Sequence, residues 1–296
     1  MHRRPTLSRP LRHVGLLASA AAVTALALSG CSSPQSTVAD GCTPAHEGIT
    51  TVSSGKLTVG VIDIVPFSSY NSGEPAGIDV DIVKDILEKE CLEPVWQQAT
   101  YADAVQSISN GTLDIAIGTI DATEKRLKAV DFSASTYLDG MGIVSKDGQT
   151  SVADIEKSTG QVGTIEGYLW VDDLRAILGD RLQTYPSSVE LKADFDAGRL
   201  TTLIDAYGTA VAEFPGDDSV KIALANKTPD SRVKALEPAP EAAFPLTKGN
   251  TSLKTAISDD IEAMRADGAI AGLLSKAGLD PDLGKVQATQ YIVPAS

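Results

Sequence analysis

Between residues 114 and 133 the chain reads DIAIGTIDATEKRLKAVDFS. A short apolar run, Ile115 to Ile120, gives way to Thr119, Asp121 and Thr123, and then to a charged segment that holds Arg126. A guanidinium at this place has two uses. It can be one charge of a solvated helix start, the commoner fate of an arginine. It can also grip a carboxylate, because its planar fork donates two parallel hydrogen bonds and stays charged when desolvated. A second acid, Asp205, follows another apolar run, LTTLI. It reads either as a helix cap or as a group at a strand end that faces a common cleft with Arg126.

The histidine count narrows the chemistry. Of three histidines, His2 and His13 lie in an N-terminal leader and His46 lies in the segment after it. The body therefore has no Ser-His-Asp triad, Cys-His dyad or histidine metal site. No catalytic residue, metal or cofactor is expected.

These side chains must be positioned by the elements around them. The protein has 296 residues with 43% apolar content, enough for real cores and for about two domains. KLTVGVI (56–62) is a strand, IDVDIVKDILEKE (78–90) an amphipathic helix, PVWQQA a strand, YADAVQSISNG a helix and LDIAIGTI a buried strand. Asp79 and Asp81 read as acids that complement the N-terminus of the first helix. The same βα alternation resumes after residue 140 with GMGIVSK, SVADIEKST, GQVGTI, GYLWVDDLRAILG, RLQTYP, SVELKADFDAG and LTTLID. EAAFPLTKG is one more strand, an edge strand because of Pro245. Two amphipathic helices, TSLKTAISDDIEAMRADG and AIAGLLSKAGL, close the pattern. Alternating strands and helices imply mainly parallel sheets covered on both faces. Ligands of such sheets bind beyond the carboxyl ends of the strands, which is where Arg126 and Asp205 fall.

The N-terminus reads as an export signal, with four arginines, an Ala/Leu-rich stretch, and Leu28-Ser29-Gly30-Cys31 before a polar segment. Removing residues 1–30 leaves 21 basic against 39 acidic side chains, a balance of −18. Such a surface argues against nucleic acid and against a basic grip on anionic lipid. Cys42 and Cys91 are the remaining cysteines, an even number suited to a disulfide in an oxidising compartment, with two free thiols as the alternative.

In order along residues 55–280, KLTVGVIDIVPF, AGIDVDIVKDI, ISNGTLDIAIG, TEKRLKAVDFS and the C-terminal helices resemble the solute-binding proteins of polar amino-acid ABC importers. The resemblance implies an α/β, two-lobed, type II periplasmic-binding-protein clamshell, each lobe a mixed, mainly parallel sheet flanked by helices, joined by two crossover strands. It implies residues 1–30 as a lipoprotein signal peptide and 31–54 as a tether. Lobe 1 would be 55–137 plus 242–289, lobe 2 would be 138–241, and 290–296 a C-terminal tail. Cleavage before Cys31 would leave a lipidated cysteine that anchors the protein to the cell membrane. The implied partners are an amino-acid-like ligand and ABC permease subunits, with the protein itself a monomer.

The resemblance also implies a binding site. Arg126 would take the ligand α-carboxylate, flanked by Thr119 and Asp121, and Asp205 would accept from its ammonium. Tyr101 would cover the ligand side chain. Asp63 and Phe67 would line the first pocket loop, and Gly167-Tyr168-Leu169 would offer backbone N–H groups. Asp121 stands where the family usually has Ser or Thr. A carboxylate there would repel a ligand carboxylate, pair with Arg126, or welcome a second positive charge. With Asp63 and Glu166, it hints at lysine, arginine or ornithine. Two other readings share the fold. One is a periplasmic dehydratase acting on a small carboxylic acid, with Glu166 as general acid; the other is a receptor module that signals through a separate protein.

Overall fold

The computed structural model describes Val38, residues 41–287, Gln290 and residues 292–294. The expected signal peptide (1–30) and Cys31 lie outside the described residues. The strands are β1 (Lys56–Ile62), β2 (Ser69–Asn71), β3 (Glu74–Ala76), β4 (Glu93–Ala99), β5 (Ile115–Ile117), β6 (Val130–Leu138), β7 (Met141–Ser145), β8 (Val162–Ile165), β9 (Leu182–Tyr185), β10 (Thr202–Ala206), β11 (Lys221–Leu224) and β12 (Glu241–Thr247). The α-helices are α1 (Ile78–Lys89), α2 (Tyr101–Ser109), α3 (Val152–Lys157), α4 (Val171–Leu178), α5 (Ser188–Asp196), α6 (Tyr207–Glu213), α7 (Thr251–Ala266) and α8 (Ala269–Lys276).

Two five-stranded sheets organise the molecule, in the orders β4-β1-β5-β12-β6 and β11-β7-β10-β8-β9. In the first, β1 runs parallel to β4 and β5 while β12 is antiparallel to β5 and β6. In the second, β10, β8 and β9 are parallel and β7 is antiparallel to β10 and β11. The backbone passes from the first sheet to the second after β6 and returns before β12. This is a two-lobed, type II clamshell, with both sheets covered by helices and joined by crossover strands.

Strand periodicity explains the cores. Adjacent strand residues point to opposite faces, so a strand covered on both sides feeds two clusters. In β1, Val61 packs with α1, α7 and α8 residues such as Ile82, Ile257 and Leu274, while Ile62 packs with Ile108 of α2. In β7, Ile143 joins Val152 and Leu174, while Val144 joins Leu191 and Phe195.

Several segments depart from the sequence pattern. Pro245 does not mark an edge strand, because β12 lies between β5 and β6. The register of β12 against β6 shifts between Ala243 and Pro245, and Phe244 N–H donates to the Ser133 hydroxyl at 2.9 Å. An irregular register lets an interior strand carry a residue that has no N–H. The strand expected over 113–120 is regular only at Ile115–Ile117. It stops at Gly118, whose φ is +125°, where an added Cβ would stand 2.8 Å from Ile62 Cβ. Strands β2 and β3, helix α6 and strand β11 carry too weak a pattern to be predicted.

The segment expected as a tether is bonded to the first sheet's elements from Cys42 onward. Cys42 and Cys91 form a disulfide. Ala45 N–H donates to Lys89 C=O at 3.0 Å, and Val52 N–H to the Asp114 carboxylate at 2.7 Å. His46 contacts the buried Glu90 carboxylate at 2.6 Å and Asp259 at 3.2 Å. The Glu90 hydrogen bond is the main reason that the His46 pKa is raised. From the other end, Val293 N–H donates to Ala122 C=O at 2.9 Å, and Glu124 N–H to Val293 C=O at 3.0 Å. Residues 292–294, expected as part of a tail, therefore run beside the loop that carries Arg126.

The disulfide closes a sequence separation of 49. Loop-closure entropy arguments give such a loop about 3–4 kcal/mol of stabilisation. Replacing both cysteines by serine is expected to lower the unfolding free energy by about 3 kcal/mol in urea denaturation, with the native far-ultraviolet circular dichroism retained.

Candidate functional site

The site starts where β5 stops. Gly118 N–H donates to the buried Asp79 carboxylate at 2.9 Å, and the Tyr137 hydroxyl donates to the same carboxylate at 2.6 Å. Asp79 lies in the first turn of α1, as expected, and is also a buried brace beneath the loop. Burial pushes its pKa up to about 6 against these hydrogen bonds. Thr119 follows with φ at +50°, a left-handed conformation that is uncommon for a non-glycine residue. The hydroxyl of Tyr101, the first residue of α2, donates to Gly118 C=O at 2.6 Å and lies 2.8 Å from the Thr119 hydroxyl. Two aromatic hydroxyls and one carboxylate therefore hold the turn.

Arg126 sits one short turn further on. Its N–H donates to the Thr123 hydroxyl at 3.0 Å, and its Nη1 donates to the backbone C=O of Asp121 at 2.8 Å. The guanidinium is bonded to the backbone of its own loop and is half-buried. The Asp121 side chain is only 6% exposed, and its Oδ1 has no hydrogen-bond partner. Burial raises the Asp121 pKa to about 7, although the charge of Arg126 pulls the other way.

The second lobe brings Tyr168 and Asp205. Asp205, near the end of β10, is fully buried and accepts from the Tyr168 hydroxyl (2.9 Å), the Ser188 hydroxyl (2.6 Å) and Ala206 N–H (2.7 Å). Burial raises its pKa to about 6 while these donors lower it. The rings of Tyr101 and Tyr168 meet edge-on across the lobes at 6.0 Å, and Tyr168 meets Trp170 at 5.0 Å.

These residues enclose a cavity of about 20 Å³ lined by Tyr101, Thr119, Asp121, Arg126, Asp139 and Gly167 to Trp170. Of the residues expected at the site, Tyr101, Thr119, Asp121, Arg126, Tyr168 and Leu169 come together here. Asp205 does not line the cavity and stands one hydrogen bond behind Tyr168. Asp63 is exposed and accepts from Tyr70 N–H (2.6 Å) and Gln98 Nε2 (2.9 Å). Phe67 is 1% exposed and stacks on Tyr137 at 4.8 Å. Glu166, the residue expected as general acid in the dehydratase reading, is exposed and does not line the cavity.

Two lining residues go beyond the expected set. Asp139 follows β6 at the crossover between the sheets, and only its nearness to the lobe boundary could have marked it. Trp170 continues the Gly167-Tyr168-Leu169 turn, and its indole N–H donates to the Thr164 hydroxyl at 2.9 Å. That turn is not helical as expected; α4 begins only at Val171.

Comparisons with known proteins agree with this architecture. Residues 57–279 match the family described as bacterial extracellular solute-binding proteins, family 3. The glutamine-binding protein of Geobacillus stearothermophilus is 29% identical over 73% of this chain and 85% of its own. A substrate-binding protein of an ABC uptake transporter from Streptococcus pneumoniae with bound histidine superposes with a TM-score of 0.66 at 20% identity, over 79% of this chain and 96% of its own. An ancestral arginine-binding protein bound to arginine superposes with a TM-score of 0.62 at 23% identity, over 75% of this chain and 97% of its own. At those identities the superpositions speak for the fold. The protein belongs to family 3 of the bacterial extracellular solute-binding proteins.

Proposed function

We propose that the protein captures a polar amino acid between its lobes and delivers it to the permease of an ABC importer, without converting it chemically. The observation that carries this reading is the interlobe cavity in which Arg126 of the first lobe faces Tyr168 of the second. Arg126 takes the ligand α-carboxylate, with Thr119 beside it and Tyr101 against the ligand side chain. Backbone N–H groups of the turn from Gly167 to Leu169 complete the carboxylate site. Asp205 takes the ammonium, which replaces the Tyr168 hydroxyl as the donor to Oδ1.

A cavity of about 20 Å³ is near the size of one water, so Tyr101 and Tyr168 must part to admit an amino acid. Binding then rewards closure only when both ends of a zwitterion meet their partners, and that difference shifts the population toward the closed form. Residues 1–30 serve as the export signal, a lipidated Cys31 holds the mature protein at the membrane, and the protein acts as a monomer. The lipobox-like order around Leu28 to Cys31 supports the anchoring.

A thermal-shift screen against the protein amino acids is expected to raise the melting temperature for a small subset, since a ligand that binds only the native state stabilises it by mass action. No shift with any amino acid removes the proposal. Arg126→Ala is expected to weaken binding of the best ligand at least about a hundredfold, about 2.7 kcal/mol, by titration calorimetry on folded protein. Asp205→Asn is expected to weaken it at least about tenfold, a loss of about 1.4 kcal/mol.

A further inference from the structure

We propose that the ligand carries a second positive charge on its side chain and that Asp121 and Asp139 together receive it. This rests on the amino-acid-binding reading and narrows it to one ligand class, the cationic amino acids.

The observation is a pair of desolvated, incompletely bonded carboxylates in the same cavity. Asp121 and Asp139 are 6% and 7% exposed, both line the cavity, and Oδ1 of each is buried without a hydrogen-bond partner. A buried carboxylate oxygen without a donor is unfavourable, and structures rarely keep one without a use. Arg126 is the one cation among the lining residues, and its Nη1 is engaged by the Asp121 backbone carbonyl. Asp205 lies behind Tyr168, and Asp79 lies beneath Gly118. Two carboxylates thus share the cavity with one guanidinium, and Asp205 and Asp79 stand outside its lining.

Each class of ligand can be weighed against that balance. A zwitterion with a neutral side chain uses Arg126 and Asp205 and leaves Asp121 and Asp139 with no counter-charge. An acidic side chain adds repulsion. A basic side chain brings the missing positive charge and the missing donors. Its methylene stem suits the walls formed by Tyr101, Tyr168 and Trp170, and aromatic faces favour a cation.

The charge state of the cavity agrees. Burial, then the charges of Asp121, Asp205 and Asp79, push Asp139 well above the usual carboxylate range, against the Thr119 hydroxyl. The Asp139 charge in turn acts on Tyr101, Tyr137 and Tyr168. Asp121, raised to about 7, becomes ionised only as pH rises through neutrality. A cationic side chain supplants a proton there, and its binding strengthens from about pH 6 to about pH 8.

Titration calorimetry with lysine, arginine, ornithine, glutamine and glutamate separates the outcomes. At least one cationic amino acid is expected to bind about thirtyfold or more tightly than glutamine at about pH 7.5, with that ratio growing between about pH 6 and pH 8. Asp139→Asn, and independently Asp121→Asn, are each expected to move the ratio at least about tenfold toward glutamine. Glutamine or glutamate binding as tightly as every cationic ligand would overturn the inference and leave the amino-acid-binding reading standing. An unchanged ratio in both folded variants would overturn it as well. Binding by none of the twenty protein amino acids or ornithine would sink the broader reading together with this one.

Discussion

The structure turns on the cost of holding a guanidinium and several carboxylates away from water between two lobes. A charge in a low-dielectric site must be braced before the ligand arrives, or the ligand must supply the reorganisation itself. Arg126 is braced by its own loop, through the Asp121 carbonyl and the Thr123 hydroxyl. That loop is tied to Val293 on one side, and its start is tied to Asp79 through Gly118. The short β5, the positive φ at Gly118 and Thr119, and the buried Asp79–Tyr137 pair all follow from turning the backbone sharply out of a packed sheet to present one charged group.

The contact between lobes has an aromatic side and a polar side. Tyr101 and Tyr168 meet at the cavity, while Phe67, stacked on Tyr137, meets α6 at Gly208. A Cβ on Gly208 would stand 2.4 Å from Phe67 Cζ, so the approach of α6 to the first lobe depends on glycine there. Phe67 therefore works as packing between lobes, at a site where the family pattern suggested a pocket wall. Both readings make it a large buried aromatic after a proline, and only the three-dimensional surroundings tell them apart.

What could be read along the sequence was whatever depends on local periodicity. The strands β1, β4, β8 and β9 and the helices α1, α2, α5, α7 and α8 follow from alternating or helical apolar spacing. Arg126 and Asp205 could be placed at strand ends for the same reason. Asp139 could not, because its position in the cavity depends on where the backbone passes between sheets. Pro245 misled, since proline reports on a missing N–H and not on what a register shift can absorb. Residues 42–54 looked like a tether because they are short of large apolar side chains. They are held instead by a disulfide and by hydrogen bonds to Lys89, Glu90 and Asp114, partners that no local pattern predicts.

The arrangement of the two ends has a mechanical consequence. The segment at Cys42 and the segment at Val293 both return to the first lobe, whereas among the described residues the backbone reaches the second lobe through the crossovers that follow β6 and precede β12. The lobe with more attachments is the one that carries the preorganised guanidinium, and the lobe with two connections carries Tyr168 and Asp205. Any relative rotation of the lobes must pivot at these crossovers and must separate Tyr101 from Tyr168 and Phe67 from α6. The positive charge thus belongs to one lobe, and the aromatic contact beside it is shared by both.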